Sequence, residues 1–224
     1  MHLTILATAL ASSMAKIAEF YDKGGIIMYA LTFCSILTLA VIIFKALSLS
    51  RKKVLPNGMQ QTINHFVQNS NDTAAEQLAL EASKGESVLA RLSQTVVNRS
   101  QSSGQKIRDA VQAKAHEEIV KLQGGIQVLD VVIVVSPLLG LLGTASGITT
   151  VFDGLSSLED VKMNIMAAGV AEALSTTIAG LAVAVPAVIG HSFFNRKIET
   201  YASQLEVTCD DLVNAVTERQ DKAA

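Results

Sequence analysis

One residue stands out for the chemistry it could do. Glu172 lies in an apolar run from about Ile165 to Asn195 that holds no other acid and no Lys or Arg before Arg196 and Lys197. A charged carboxylate inside a bilayer costs about 3 kcal/mol on insertion scales, so such a residue turns toward protein or a wet cavity. Two readings follow. Either the carboxyl takes up and releases a proton along an ion path, or it stays protonated and hydrogen-bonded to stabilise a bundle. Its neighbours are small or hydroxylated: Gly169, Ala173, Ser175, Thr176, Thr177 and Gly180, with Gly140, Gly143, Thr144, Ser146 and Gly147 on the preceding apolar run. Small residues let membrane helices approach closely. Close packing alone accounts for the glycines, whereas hydroxyls gathered near one carboxylate favour a polar lumen. Thr144 and Glu172 stand at comparable distances on either side of a connecting loop, which puts them at similar heights on antiparallel helices. Thr176 shares the face of Glu172 at i+4, and Thr177, about 100° further round, is directed toward a neighbouring helix.

The elements that carry these residues are legible as membrane spans. Charged residues make up 17% of the chain, below a soluble domain's usual share, and they are segregated. Three apolar stretches of roughly twenty residues or more are each long enough to cross hydrocarbon as helices: about Ile26–Leu49, Val131–Phe152 and Ile165–Asn195. Lys45 sits one turn from the end of the first and is expected to snorkel. Arg51, Lys52 and Lys53 follow span one, and Arg196 and Lys197 close span three. The loop between spans two and three holds Asp153, Glu159 and Asp160 against Lys162. The positive-inside rule then places the segment after span one and the C-terminus in the cytoplasm, and the N-terminus outside.

This predicts an all-α integral membrane protein: an outer interfacial helix over 1–24, span one over 25–50, a cytoplasmic helical region over 51–127, span two over 128–153, an external loop over 154–164, span three over 165–195 and a cytoplasmic C-terminal helix over 196–224. The interfacial helix rests on Met14, Ile17, Ala18 and Tyr21 at helical spacing, with Gly24 and Gly25 turning the chain into the membrane. A cleaved signal peptide is the alternative for this segment. In the polar region short helices are expected at about 59–69, 73–83 and 87–99. A longer one from Gln105 carries an apolar stripe at Ile107, Val111, Ala115, Ile119, Leu122 and Ile126 and continues into span two, with Gly124 and Gly125 as a kink. Ile198, Tyr201, Leu205, Thr208, Leu212 and Ala215 or Val216 form a second stripe, so spans two and three extend into the cytosol as long amphipathic helices. The stripes pack on each other, on neighbouring subunits, or on both. Pro137 and Pro186 lie inside spans two and three, where neighbouring groups can satisfy the freed carbonyls.

Several classes fall away. A net charge of −2 gives no field for nucleic acid. Cys34 and Cys209 make neither a disulfide framework nor a zinc pattern. No HExxH, GxSxG or paired intramembrane carboxylates point to an enzyme, and no metal or cofactor is implied. Asp130, at the start of span two, is either a solvated helix-end acid or a cytoplasmic proton exit.

Ser136-Pro137-Leu138-Leu139-Gly140-Leu141-Leu142-Gly143-Thr144 resembles the APLLGLLGTV segment of the ExbB/TolQ/MotA proton-channel family, and Gly169 to Ala187 resembles its GIAEALxTTAxGLxVAIPA segment. The strong resemblance covers about 129–197. Length and three spans are similar to the ExbB and TolQ branches rather than to four-span MotA. The resemblance implies an inner-membrane homopentamer around a pore that encloses a single-span ExbD/TolR-like partner. It implies use of the proton motive force, with the motion passed to a TonB-like periplasmic effector to energise outer-membrane transport. A TolQ-like role in envelope maintenance stays open, as does a non-conducting scaffold. The family's pore glutamate falls on Glu172 and its pore threonines on Thr144 and Thr177; Thr176 joins this path by its position. Gly140, Gly143, Gly147, Gly169, Ala173 and Gly180 are the expected packing residues of the pore wall. Ser136 stands where the family usually has Ala, and Ala145 where it has Val.

Overall fold

The computed structural model describes residues 25–69, 71–156 and 163–223. The segment read as an outer interfacial helix, with Gly24, and the middle of the loop between spans two and three lie outside the described residues. Among the described residues every regular element is helical: α1 (Gly25–Ser48), α2 (Arg51–Val54), α3 (Asn57–Asn69), α4 (Asp72–Ser83), α5 (Val88–Asn98), α6 (Gly104–Gln123), α7 (Ile126–Ser156) and α8 (Met163–Ala223). The protein is all-α, and α1, α7 and α8 are each long and apolar enough to cross a membrane. The helices group into two compact units, one of residues 25–42, 127–156 and 163–191 and one of residues 43–126 and 192–223.

The first unit is the membrane unit. On α1, Met28, Leu31, Cys34 and Thr38 are buried, while Ile26, Tyr29, Phe33, Ile36 and Leu39 lie outward and exposed. Both faces are apolar, so the helix suits lipid rather than water on its outer side. Thr38 leaves no free hydroxyl in that interior, because its Oγ1 donates to the Cys34 carbonyl at 2.8 Å. α7 runs antiparallel to α8, with close contacts from Gly140 to Thr177 and from Gly147 to Gly169. α1 runs parallel to α8, with Gly25 beside Glu172 and Ile42 beside Gly190.

The second unit is polar outside and has an apolar core. α4 packs on α3 and α5, and α5 packs on α6. Capping fixes two helix starts. The Asn71 side chain accepts from Ala74 N–H at 2.9 Å and Ser87 Oγ accepts from Ala90 N–H at 3.1 Å, each satisfying an orphan donor. The two stripes meet within this unit. Ile107 and Val111 on α6 and Ile198, Tyr201, Leu205 and Leu212 on α8 are all buried. Cys209 is buried where Thr208 was expected to face inward. Arg108 bridges α6 to Asp210 at 3.2 Å and to Asn214 at 2.5 Å on α8.

Two local features differ from the expectation. The Gly124–Gly125 kink is a full break: α6 ends at Gln123, Gly125 takes φ +84°, and α7 begins at Ile126. Glycine adopts that left-handed conformation without a Cβ penalty. Lys45 does not snorkel. It is 2% exposed and donates to the Leu122 carbonyl at 2.8 Å. The last carbonyls of α6 lack intrahelical partners and sit at the negative end of its dipole, so a buried ammonium is matched there.

Candidate functional site

The wall of the membrane unit is built on backbone contact. A Cβ at Gly147 would lie 2.5 Å from the Gly169 carbonyl oxygen, and one at Gly169 would lie 2.6 Å from the Gly147 oxygen. At Gly180 it would meet the Ser136 oxygen at 2.6 Å, at Gly140 the Thr176 oxygen at 3.1 Å, and at Gly143 the Thr176 hydroxyl at 2.1 Å. Ala173 is buried beside Gly147. These six residues lie in the contact between α7 and α8, and at Gly147, Gly169 and Gly180 an added Cβ would meet backbone and part the helices.

The hydroxyls are committed to carbonyls. Thr176, fully buried, donates from Oγ1 to Glu172 O at 3.0 Å and to Ala173 O at 3.1 Å. Thr177 Oγ1 crosses to the Gly140 carbonyl of α7 at 3.2 Å. Thr144 Oγ1 donates to Leu141 O of its own helix at 2.6 Å. Thr176 therefore shares the α7-facing side with Thr177 rather than standing apart from it. Thr144 is roughly level with Ala173, but Glu172 bends the other way. Glu172 Oε1 lies where a Cβ on Gly25 would come within 3.0 Å of it. Gly25 has φ +60° and opens α1. The carboxylate thus rests on the first residue of span one, half-buried, at the positive end of that helix. Gly25 was read only as a turn residue. Its role as a floor for Glu172 depends on α1 and α8 being parallel and in register, which no local pattern encodes.

Three other polar features go beyond the sequence, in which Asp130 stood out only as a solvated helix-end acid or a cytoplasmic proton exit. His191 Nε2 and Asp130 Oδ1 lie 2.7 Å apart, joining α8 to α7. The signal was present, since counting outward from the loop places Asp130 within about a turn or two of His191 on the opposite helix. Ser136 is fully buried, and its Oγ has no hydrogen-bond partner among the described residues. In the polar unit Glu118 is 2% exposed, with Arg91 at 2.5 Å, Lys121 at 3.2 Å and Lys114 at 3.6 Å. The Arg91 guanidinium holds the Glu118 carboxyl below the usual range against the opposing effect of burial, and Lys121 adds to this. Hydrogen bonds from Lys114 and Lys121 bring the neighbouring Glu117 down to about 2.

Comparison with known proteins bears on this arrangement. The profile of the MotA/TolQ/ExbB proton channel family matches residues 48–207. A protein named biopolymer transport protein exbB1 from Vibrio cholerae is 28% identical over 87% of this chain and 86% of its own length. A Synechocystis protein named putative biopolymer transport protein ExbB-like 1 is 29% identical over 78% of this chain and 68% of its own. The Tol-Pal system protein TolQ of Pseudomonas aeruginosa is 33% identical over 46% of this chain and 44% of its own.

Proposed function

We propose, from the premise that this chain belongs to the MotA/TolQ/ExbB proton channel family, that it is the proton-conducting subunit of an ExbB-like inner-membrane motor. It works as a homo-oligomer, a pentamer by family resemblance, around an ExbD-like single-span partner. It draws on the proton motive force to energise TonB-dependent outer-membrane transport. The C-terminus is cytoplasmic and the N-terminus periplasmic.

One observation carries the reading: α7 and α8 carry no acid between Asp153 and Asp130, or between Glu172 and the end of span three, other than Glu172 itself. A path along this wall has no other carboxyl to use. Glu172, Thr144 and Thr177 remain partly exposed on the isolated subunit, and so stay within reach of water or a partner helix. The exposed apolar faces of α7 and α8, among them Leu138, Leu141, Leu174, Ile178 and Leu181, require lipid or other protein to cover them. The membrane potential supplies about 2.3 kcal/mol per charge per 100 mV, which is usable only if a group loads its proton on one side and unloads it on the other.

Glu172→Gln keeps the shape and removes the titration. It should assemble with the partner normally and fail to drive uptake, while Glu172→Asp retains part of the activity. Full proton-driven uptake by the Gln variant would refute the assignment. The likeness to TolQ supports a second reading, envelope maintenance. Co-purification with a TolR-like rather than an ExbD-like partner would favour it.

A further inference from the structure

We propose that the Asp130–His191 pair is the proton-release station at the cytoplasmic end of the membrane unit. The inference rests on the proton-conducting reading above. Glu172 and His191 stand on one helix, about 28 Å apart at roughly 1.5 Å per residue, close to the thickness of a hydrocarbon core. They are the first and last titratable side chains of span three, and the stretch between them has none. Opposite His191, on α7, Asp130 is the only acid before Asp153 at the other end of that helix. The pair therefore closes the wall at the end away from Glu172.

Its geometry suits transfer to water. His191 Nε2 is 2.7 Å from Asp130 Oδ1, and their side chains are 25% and 56% exposed. The imidazole accepts a proton that comes from the Glu172 end, becomes imidazolium, is held by the Asp130 carboxylate, and returns the proton to cytoplasmic water. No other bond is made or broken. Histidine is suited to this because its two ring nitrogens let it take up a proton at one and give one up at the other. Ile42 of α1 and Leu129 of α7 lie against Gly190 next to the pair. The next charge along α1, Lys45, is bound to the Leu122 carbonyl. The next along α8 is Arg196.

The test uses inverted membrane vesicles from cells carrying chromosomal variants, with proton flux followed by a pH-sensitive dye. Glu172→Gln defines the flux that belongs to this path. His191→Gln retains a hydrogen bond to Asp130 but does not titrate. It should reduce that flux roughly tenfold or more, with assembly unchanged. His191→Ala should do the same, and imidazole in the medium, which bathes the cytoplasmic face, should restore it. A purely structural tie would not respond to imidazole. Wild-type flux in both His191 variants, or a loss that imidazole does not restore, overturns the release station while Glu172→Gln still shows the path. Unchanged flux in Glu172→Gln overturns the proton-conducting reading, and the station with it.

Discussion

The membrane unit and the polar unit solve the same problem, holding long helices together, by opposite means. In the membrane unit the contact between α7 and α8 is glycine against backbone, and the threonine hydroxyls close on carbonyls. In the polar unit the helices meet through Leu, Ile, Val and Phe side chains, with ion pairs and capped termini at the edge. The reason is the solvent. Lipid is as apolar as leucine, so burying leucine there gains little, and close van der Waals approach must supply the attraction. Water makes apolar burial favourable, at about 25 cal/mol per Å². The same glycine thus has opposite meanings in the two regions.

Adding one methyl group in each region sharpens the contrast and gives the largest expected effect. Gly147→Ala must push α7 from α8, because the new Cβ meets backbone that cannot rotate away. It should destabilise by about 3 kcal/mol. Gly58→Ala in α3 meets nothing within 4 Å and should stabilise by up to about 1 kcal/mol through helix propensity. Thermal unfolding in mild detergent measures both, and a Gly147→Ala protein as stable as wild type would break the comparison.

The ion cluster of the polar unit comes next. Glu118→Gln keeps one acceptor oxygen but removes the buried negative charge that Arg91, Lys114 and Lys121 share, and should cost about 2 kcal/mol. The pH dependence has a definite sign. Glu117 and Glu118 titrate lower in the folded protein than the ordinary 4.5. The stability they contribute is complete above that value and is lost as pH falls toward about 2, the folded value of Glu117. Melts taken from pH 6 downward should show wild type losing stability in this window and Glu118→Gln losing less.

The smallest effect is expected at Ser136, whose buried hydroxyl lacks a partner among the described residues. Ser136→Ala removes an unsatisfied polar group and should leave stability unchanged or raise it by about 1 kcal/mol. A clear loss would mean that the hydroxyl is bonded in the assembled complex.

Much of the architecture was written locally. Three apolar runs of bilayer length, the basic residues that close two of them, and the 3–4 spacing of Ile107, Val111, Ile198, Tyr201 and Leu205 were legible because hydropathy and helical period act over a few residues. Glu172 was legible for the same reason: a lone acid in an apolar run is a local anomaly. The helix break at Gly124–Gly125 was half legible, since two glycines mark a weak point but not whether it bends or breaks.

What only the tertiary structure decided is every pairing between distant segments. The sequence by itself determined that Lys45, Asp130 and Glu172 are polar groups in or beside apolar runs, and it did not single out Glu118. It did not determine that Lys45 meets the end of α6, that Glu118 meets Arg91, that Asp130 meets His191, or that Glu172 rests on Gly25. Each of those contacts depends on the axial register and rotation of two helices. A shift of one residue turns a side chain by about 100°, enough to move it from a partner to lipid. Register is set by the summed packing of a whole interface, glycine by glycine along α7 and α8, and that sum exists only once the helices are side by side.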